Sequence, residues 1–526
     1  MGEQKLTIQA VASLLNAELS GDGSGNATDV THDSRQAREG TLFVAIKGAT
    51  VDGHRFVDDV MRRGAAGIIS ESDPPAGFAG AWLKVKDARA ALAKAAAVIN
   101  GNPSHELDLV GITGTNGKTT TAYLIFALAE AAGQKPAMLT TVEYRIGDKS
   151  EPAVRTTPEA SDTNRFLREA VDKGCAMAAM ETSSQAIDLH RCDWLRFKIA
   201  VFTNLTRDHL DYHKTMENYF DAKKKLFDGR LGERPGTSVI NIDDEWGVKL
   251  ADELRSHGQK VITFSQSGGN ASVNERANSS REGTLLNSRV SARNEKTADF
   301  SASNVKVSLI HGTSFLLKTP DGERQITSPL VGHPHVYNML SAIATALELG
   351  YDLDSISRGL STCIGAPGRF ERVPHDGDFA VVVDYAHTDD ALLNTLKTAR
   401  DLTGGRIITV FGCGGDRDQT KRRPMGEIAG EYSDLVMITS DNPRNEDPLK
   451  IISEIEAGVK EKNSPYEIIP DRREAIYKAV SVARSNDVLL IAGKGHENYQ
   501  IIGGDRFHFD DREVAAEALT RLKEEA

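Results

Sequence analysis

Apolar residues along this chain gather in short unbroken runs and seldom alternate with polar ones. TLFVAI (41–46), AAGIIS (65–70), LDLVGIT (107–113), CAMAAMET (175–182), KIAVFTNL (198–205) and TSVINID (237–243) are runs of this kind. FAVVVDYA (379–386), RIITVFGC (406–413), DLVMITSDN (434–442) and DVLLIAGK (487–494) continue the series. A strand that is apolar at nearly every position is buried on both faces, which is the mark of a parallel sheet. Helical patterns such as ARAALAKAAAVIN (88–100) and TAYLIFALAEAAG (121–133) lie between the runs. Alternating strands and helices predict an α/β fold with helices covering both sheet faces.

Breakers divide the pattern. GNPSHE (101–106) closes a mixed first region, and IGAPGRF (364–370) is a junction before the last series of strands. Three domains are expected: a small α/β domain over 1–108, a central P-loop-type parallel sheet over 109–364, and a Rossmann-like sheet over 365–526. A length of 526 residues fits three domains at about 150 each. Residues 266–304 are rich in Ser, Asn and Gly and then charged, and read as a loop-rich excursion.

Composition narrows the class. Hydrophobic residues make up 40% and charged residues 26%, an ordinary soluble balance. The net charge of -12 is not offset by a long Lys/Arg stretch, so no nucleic-acid partner is expected. Cys175, Cys192, Cys363 and Cys413 are far apart without metal-ligand spacing and read as free thiols of a reducing compartment. The N-terminal residues lack the pattern of a secretory signal, and no run approaches the length of a membrane span. A cytoplasmic protein without a membrane partner is expected.

The first chemistry lies where LDLVGIT runs into Gly114-Thr115-Asn116-Gly117-Lys118-Thr119-Thr120 and then a helical pattern. Glycines let the backbone turn its N–H groups toward phosphate oxygens, and the helix N-terminus adds partial positive charge. Lys118 then reaches the terminal phosphates, and the Thr119 hydroxyl can ligate Mg²⁺. Ile112 stands where the first glycine of the full Walker pattern belongs, so it is the strand–loop–helix context that supports nucleotide binding.

Glu181 and Asn204 end neighbouring apolar runs, and ligands of open parallel sheets collect at such ends. An acid at one end and a histidine from Asp208-His209-Leu210-Asp211-Tyr212-His213 at the other could hold a second Mg²⁺. From the residues alone, His209 and His213 fit a satisfied surface or core role equally well. Lys223-Lys224-Lys225 reads as a solvated helix face, with nothing to single out one lysine.

Taken together, GTNGKTT (114–120), ETSS (181–184), NLTRDHLDYH (204–213), AKKKLF (222–227), GHPHVYN (332–338), APGRFE (366–371) and DYAHTDDAL (384–392) resemble the Mur ligase family in order and spacing. The resemblance covers nearly the whole chain, and it is strongest to the family branch that adds the third residue of the peptidoglycan stem peptide. It implies an ATP-dependent amide-bond ligase acting on UDP-N-acetylmuramoyl-L-alanyl-D-glutamate, expected to be a monomer. HDSR (32–35) and LFVAIKG (42–48) resemble the domain that holds the uridine end, with Ser34 the matching contact. Thr156, Thr157, Ser183 and Arg191 match contacts to the muramoyl dipeptide. Gln185 and Leu189 depart from the family's usual polar residues and are not carried over.

By the same resemblance, Lys223 takes up CO₂ to become a carbamate. Glu181 and His209 join it as ligands of a second Mg²⁺, and Thr119 serves the first. Lys118 completes the implied catalytic set of Lys118, Glu181, His209 and Lys223. Asn116, Arg369 and Asp384 match nucleotide contacts, and His387 lies in the segment facing the nucleotide.

The run Ser440-Asp441-Asn442-Pro443-Arg444 follows an apolar strand and reads by itself as an ordinary turn. Family members that add meso-2,6-diaminopimelate carry D-N-P-R here, and lysine-adding members replace the arginine. The distal carboxylate that lysine lacks suits the Arg444 fork, and a buried cation left unpaired would penalise lysine. Arg422 matches the contact to the other carboxylate, while Gly493 and Glu497 match contacts to the distal ammonium. The implied reaction proceeds through an acyl phosphate, and closure of the domains is expected to assemble the site and exclude water. Three rivals are a lysine-adding ligase, a folylpolyglutamate synthase-like ligase and a P-loop switch that hydrolyses nucleotide slowly.

Overall fold

The computed structural model describes residues 6–48, 51–266, 297–309 and 311–525. By internal contact the chain divides into two compact units, residues 1–301 with 340–356 and residues 302–339 with 357–526.

The first unit carries two sheets. In the N-terminal one, Asp29–Thr31, Thr41–Val44, Gly67–Ser70 and Ala81–Lys84 run parallel, and Glu18–Ser20 closes the edge antiparallel. Helices Ile8–Leu15 and Ala88–Ile99 cover one face, burying Val11, Leu92 and Ala96 against Leu42, Ile69 and Leu83. The larger sheet has the order Lys149–Pro152, Glu143–Ile146, Pro136–Leu139, Met177–Glu181, Asp108–Thr113, Ile199–Phe202, Thr237–Asn241, Val261–Ser265. From Pro136–Leu139 onward these strands are parallel. Their unbroken apolar character follows from burial: every residue of Met177–Glu181 and of Ile199–Phe202 is buried.

Asp108–Thr113 is central. Met177–Glu181 pairs on one side, with Glu181 beside Ile112, and Ile199–Phe202 on the other, with Phe202 beside Thr113. The C-terminal ends of three parallel strands therefore meet at the Gly-rich loop, where parallel sheets bind ligands.

In the second unit, Ala380–Asp384, Val488–Ala492, Ile407–Phe411, Leu435–Ile438 and Tyr466–Ile468 are neighbours in that order and parallel, with Glu371–Arg372 antiparallel at the edge. Helices on the two faces bury Leu392, Met425 and Ile455 on one side and Ile476, Ala479 and Val514 on the other. Asp384, Gly412, Ser440 and Gly493 stand at or just beyond the C-terminal ends of the four longer strands.

The α/β reading and every apolar run listed above recur as strands. The excursion over 266–304 is corrected at its end, because Phe300–Ser308 is a strand; residues 267–296 lie outside the described residues. Three antiparallel hairpins were not expected: Glu143–Ile146 with Lys149–Pro152, Gly312–Thr319 with Gly322–Ser328, and Tyr499–Ile502 with Asp505–His508.

Candidate functional site

The loop after Asp108–Thr113 must be glycine at its first position. Gly114 has φ +151°, and a Cβ there would stand 1.9 Å from Thr203 Oγ1. The segment after the neighbouring strand braces the loop. Thr115 N donates to the Asn204 carbonyl at 2.9 Å and Asn116 N to Asn204 Oδ1 at 2.9 Å. The Thr203 hydroxyl donates to the Asn116 carbonyl at 2.6 Å. Helix Lys118–Ala131 starts directly after Gly117, with Thr119 and Thr120 buried. Lys118 Nζ folds back over the loop and donates to the Gly114 and Thr115 carbonyls at 3.0 and 2.8 Å.

Helix Met216–Asp228 presents Tyr219, Phe220, Ala222, Lys223, Leu226 and Phe227 to the core. Lys223 thus lies on the apolar face, 1% exposed, and its Nζ donates to the Gly114 carbonyl at 2.8 Å. Lys224 and Lys225 leave this face to pair with Glu253 and Asp188 at 2.7 and 2.8 Å. The expected solvated lysine face is corrected at its first member, which helical periodicity carries inward. Burial, with Lys118 nearby, pushes the Lys223 amine well below its ordinary value of 10.5. Its Nζ also lies 4.5 Å from the centre of the Tyr219 ring.

Glu181, at its strand end, is 1% exposed. Its carboxylate accepts from Thr141 N at 2.8 Å and from the Thr141 hydroxyl at 3.3 Å. His209 has a left-handed backbone, φ +52°, and an exposed side chain; partial desolvation, with Lys118 and Lys223, lowers its imidazole against Asp208. Among the described residues no three His, Cys, Asp or Glu side chains converge as a ready metal-binding group. The donor types nonetheless suit Mg²⁺: a buried carboxylate, the Thr119 hydroxyl, an imidazole, and an amine whose free base is the form that adds CO₂.

A second cluster adjoins Glu181. The Thr157 hydroxyl donates to the Glu181 carbonyl at 2.9 Å and lies 3.2 Å from Ser183 Oγ. The Thr141 hydroxyl joins Thr156 to Glu181, with 3.0 Å between the two threonine oxygens. Arg191 Nη1 donates to the Thr157 carbonyl at 3.2 Å, and its Nη2 pairs with buried Glu159 at 2.7 Å. Thr156, Thr157, Ser183 and Arg191 are thereby brought into one network with Glu181. Ser34 is placed elsewhere, in a short 3₁₀ turn of the N-terminal sheet, where its carbonyl accepts from Arg63. Thr141 and Glu159 were missed from sequence. Thr141 follows the strand beside Glu181, so the strand-end rule that picked Glu181 would also have found it.

Asp52, His54 and Ser70 form a relay with 2.6 and 2.7 Å contacts, the spacing of a hydrolytic triad. Ser70 is fully buried and its Oγ accepts from Ser72 N, so the relay straps a loop to a strand and presents no nucleophile.

In the second unit, Asp384 is half-buried and accepts from Phe370 N, Ala386 N and the Thr395 hydroxyl at 2.7, 2.9 and 3.1 Å. Burial raises its carboxyl, opposed by Arg369. Arg369 lies 4.8 Å from the Tyr385 ring centre. Partial desolvation lowers the imidazole of His387, an exposed residue.

Asp441, Asn442, Pro443, Arg444, Gly493 and Glu497 come together at the strand ends. Asn442 Nδ2 donates to Glu497 at 2.9 Å, and buried Lys494 approaches Glu497 at 3.6 Å. A Cβ on Gly493 would stand 2.9 Å from Asp441 Oδ2, so a side chain there would enter the space beside that carboxylate. Burial raises the Glu497 carboxyl, with Lys494 opposing. Arg444 Nη1 donates to the Gly415 carbonyl at 2.7 Å. Arg422 differs from these. It is fully buried and already pairs with Glu446 and Glu454 at 2.9 Å each, which leaves Nε as its donor without a partner among the described residues.

Three family models match the chain: "Mur ligase family, catalytic domain" over 26–99, "Mur ligase middle domain" over 112–346, and "Mur ligase, glutamate ligase domain" over 368–495. The UDP-N-acetylmuramoyl-L-alanyl-D-glutamate–2,6-diaminopimelate ligase of Geobacter metallireducens is 45% identical over 512 residues, 93% of each chain. The ligase of the same name from Alkaliphilus metalliredigens is 41% identical over 95% of this chain and 94% of its own. A solved structure of a ligase with that name superposes with a TM-score of 0.69 at 30% identity, covering 99% of this chain and all of the other.

Proposed function

The chain belongs to the Mur ligase family, and we propose that it joins meso-2,6-diaminopimelate to the D-glutamyl end of UDP-N-acetylmuramoyl-L-alanyl-D-glutamate. It is an ATP-dependent, ADP-forming amide ligase of peptidoglycan precursor synthesis. The carrying observation is that one chain holds both a braced phosphate loop and a diaminopimelate-type D-N-P-R loop with Arg444, and is 41–45% identical to ligases named for that reaction. A nucleotide-linked substrate, ATP and free cysteines support a cytoplasmic enzyme, and we infer that it acts as a monomer. No described helix is long and apolar enough to cross a membrane. Its three functional parts are residues 1–108 for the uridine end, 109–364 for ATP and 365–526 for the amino acid.

The loop from Gly114 to Thr120 holds the triphosphate, and Lys118 gives up its carbonyl partners to meet the terminal phosphates. Ser34 holds the uridine end, while Thr156, Thr157, Ser183 and Arg191 hold the dipeptide. This presents the D-glutamyl carboxylate to the γ-phosphorus. Attack gives an acyl phosphate and releases ADP. Thr119 would hold one Mg²⁺, and Glu181, His209 and a carbamylated Lys223 a second; together they would supply charge neutralisation between the two anions. Asp441, Asn442 and Glu497 orient the distal ammonium of the amino acid, and Arg444 its carboxylate. The amine attacks the acyl carbon, the amide bond forms, and phosphate leaves.

ADP release measured with and without the dipeptide, for each candidate amino acid, tests this reading. Turnover is expected only with dipeptide, ATP and meso-diaminopimelate together. ADP release indifferent to the dipeptide would favour a P-loop switch and overturn the ligase reading.

A further inference from the structure

The hairpin Tyr499–Ile502/Asp505–His508 has no place in the chemistry above, yet its first strand runs along the backbone of the D-N-P-R loop. Gln500 Nε2 donates to the Asp441 carbonyl at 2.7 Å, and Ile501 N donates to Asn442 Oδ1 at 2.9 Å. Arg444 N donates to the Ile501 carbonyl at 3.1 Å, and Gly503 N donates to the Arg444 carbonyl at 2.7 Å. Arg444 and Ile502 thereby form an isolated parallel bridge. Four hydrogen bonds thus tie the hairpin to the segment from Asp441 to Arg444, at every residue except proline.

The bonds matter because Arg444 has φ +51°, the left-handed region, which a long side chain adopts only when its surroundings impose it. Both backbone polar groups of Arg444 are spent on the hairpin, so the hairpin fixes the backbone angle from which the guanidinium sets out. Nη1 then lands on the Gly415 carbonyl, while Nη2 has no hydrogen-bond acceptor among the described residues. Asn442 is fixed in the same way, between Ile501 N and Glu497. The groups that would read the distal carboxylate and distal ammonium are thus aligned by one ribbon. A misplaced fork loses bidentate geometry while keeping its charge.

We propose that this hairpin is a specificity-determining element: it holds Arg444 and Asn442 in the geometry that distinguishes meso-diaminopimelate from amino acids lacking a distal carboxylate. The proposal rests on the function assigned above. Its residues act by positioning and do not touch the reacting atoms.

The base of the hairpin is already closed, because Phe509 N donates to the Asn498 carbonyl at 3.1 Å, so the excised protein carries two glycines in place of 499–508. The excised protein and Gln500→Leu are compared with wild type for KM of ATP, dipeptide and meso-diaminopimelate, and for preference over L-lysine. Excision is expected to raise KM for meso-diaminopimelate about tenfold or more and to cut the preference about as much, with the other KM values within about twofold. Gln500→Leu is expected to shift the same two quantities by about two- to fivefold. Unchanged preference in a folded excised protein overturns the proposal. If excision unfolds the chain, unchanged preference in Gln500→Leu overturns it. A wild-type enzyme that ignores meso-diaminopimelate would instead refute the assigned function, and the proposal with it.

Discussion

Lys223 shows how one position can be ordinary in sequence and distinctive in structure. The three consecutive lysines give no chemical reason to prefer one. The apolar positions around them do, since Tyr219, Phe220, Leu226 and Phe227 mark a helical stripe on which 223 falls and 224 and 225 do not. Burial on that stripe favours the free amine, the form that adds CO₂. Lys223→Ala is expected to lower ADP release about 100-fold or more, with partial recovery in acetate, which can place a carboxylate where the proposed carbamate would stand. Full activity without acetate would remove the lysine from the metal site. His190 offers a separate residue-scale test. Its Nδ1 contacts Asp193 at 2.7 Å, and this bond, more than nearby Asp87, raises the imidazole above 6.5. The folded state therefore holds its proton more tightly. The stabilisation is fully present below the ordinary value and is lost as pH rises through the folded one. His190→Gln should lower the urea midpoint near roughly pH 5.5 and leave it unchanged near roughly pH 9; equal losses at both would contradict the shift.

At the scale of elements, the parallel strands were legible because burial on both faces leaves unbroken apolar runs. The hairpins were not. Asp505–His508 is exposed at every position and Lys149–Pro152 likewise, so neither has an apolar face to betray it. Ribbons of this kind are held by backbone bonds, which composition does not record. Buried ion pairs were equally hidden. Arg472 and Asp511 are both fully buried and doubly bonded at 2.8 Å, and Arg472 Nη2 also holds the Ala492 carbonyl at the end of Val488–Ala492, just before Gly493. Removing one partner strands the other charge in the core. Asp511→Asn and Arg472→Met are each expected to destabilise the C-terminal unit by about 3–5 kcal/mol, and the double replacement Arg472→Met with Asp511→Leu by much less. Urea unfolding followed in the C-terminal unit checks this, and additive losses in the double variant would contradict it.

At the scale of the molecule, two sheets place the candidate site residues at the carboxyl ends of parallel strands: Glu181 and the Gly114–Thr120 loop in one, Asp384, Asp441 and Gly493 in the other. The sequence announced both, because each strand end is followed by glycine or a short polar run. The details it withheld are contacts between distant segments, such as Thr141 on Glu181, Asn204 on the phosphate loop and the hairpin on Arg444. A strand-by-strand reading cannot see which ends become neighbours until the sheet order is known. The central claim is that this enzyme couples ATP to the addition of meso-diaminopimelate. The most direct measurement is mass analysis of the product formed from the nucleotide dipeptide, ATP and an equimolar mixture of meso-diaminopimelate and L-lysine. A product carrying diaminopimelate with little lysine is expected; a lysine product, or ADP without any peptide product, would contradict the claim.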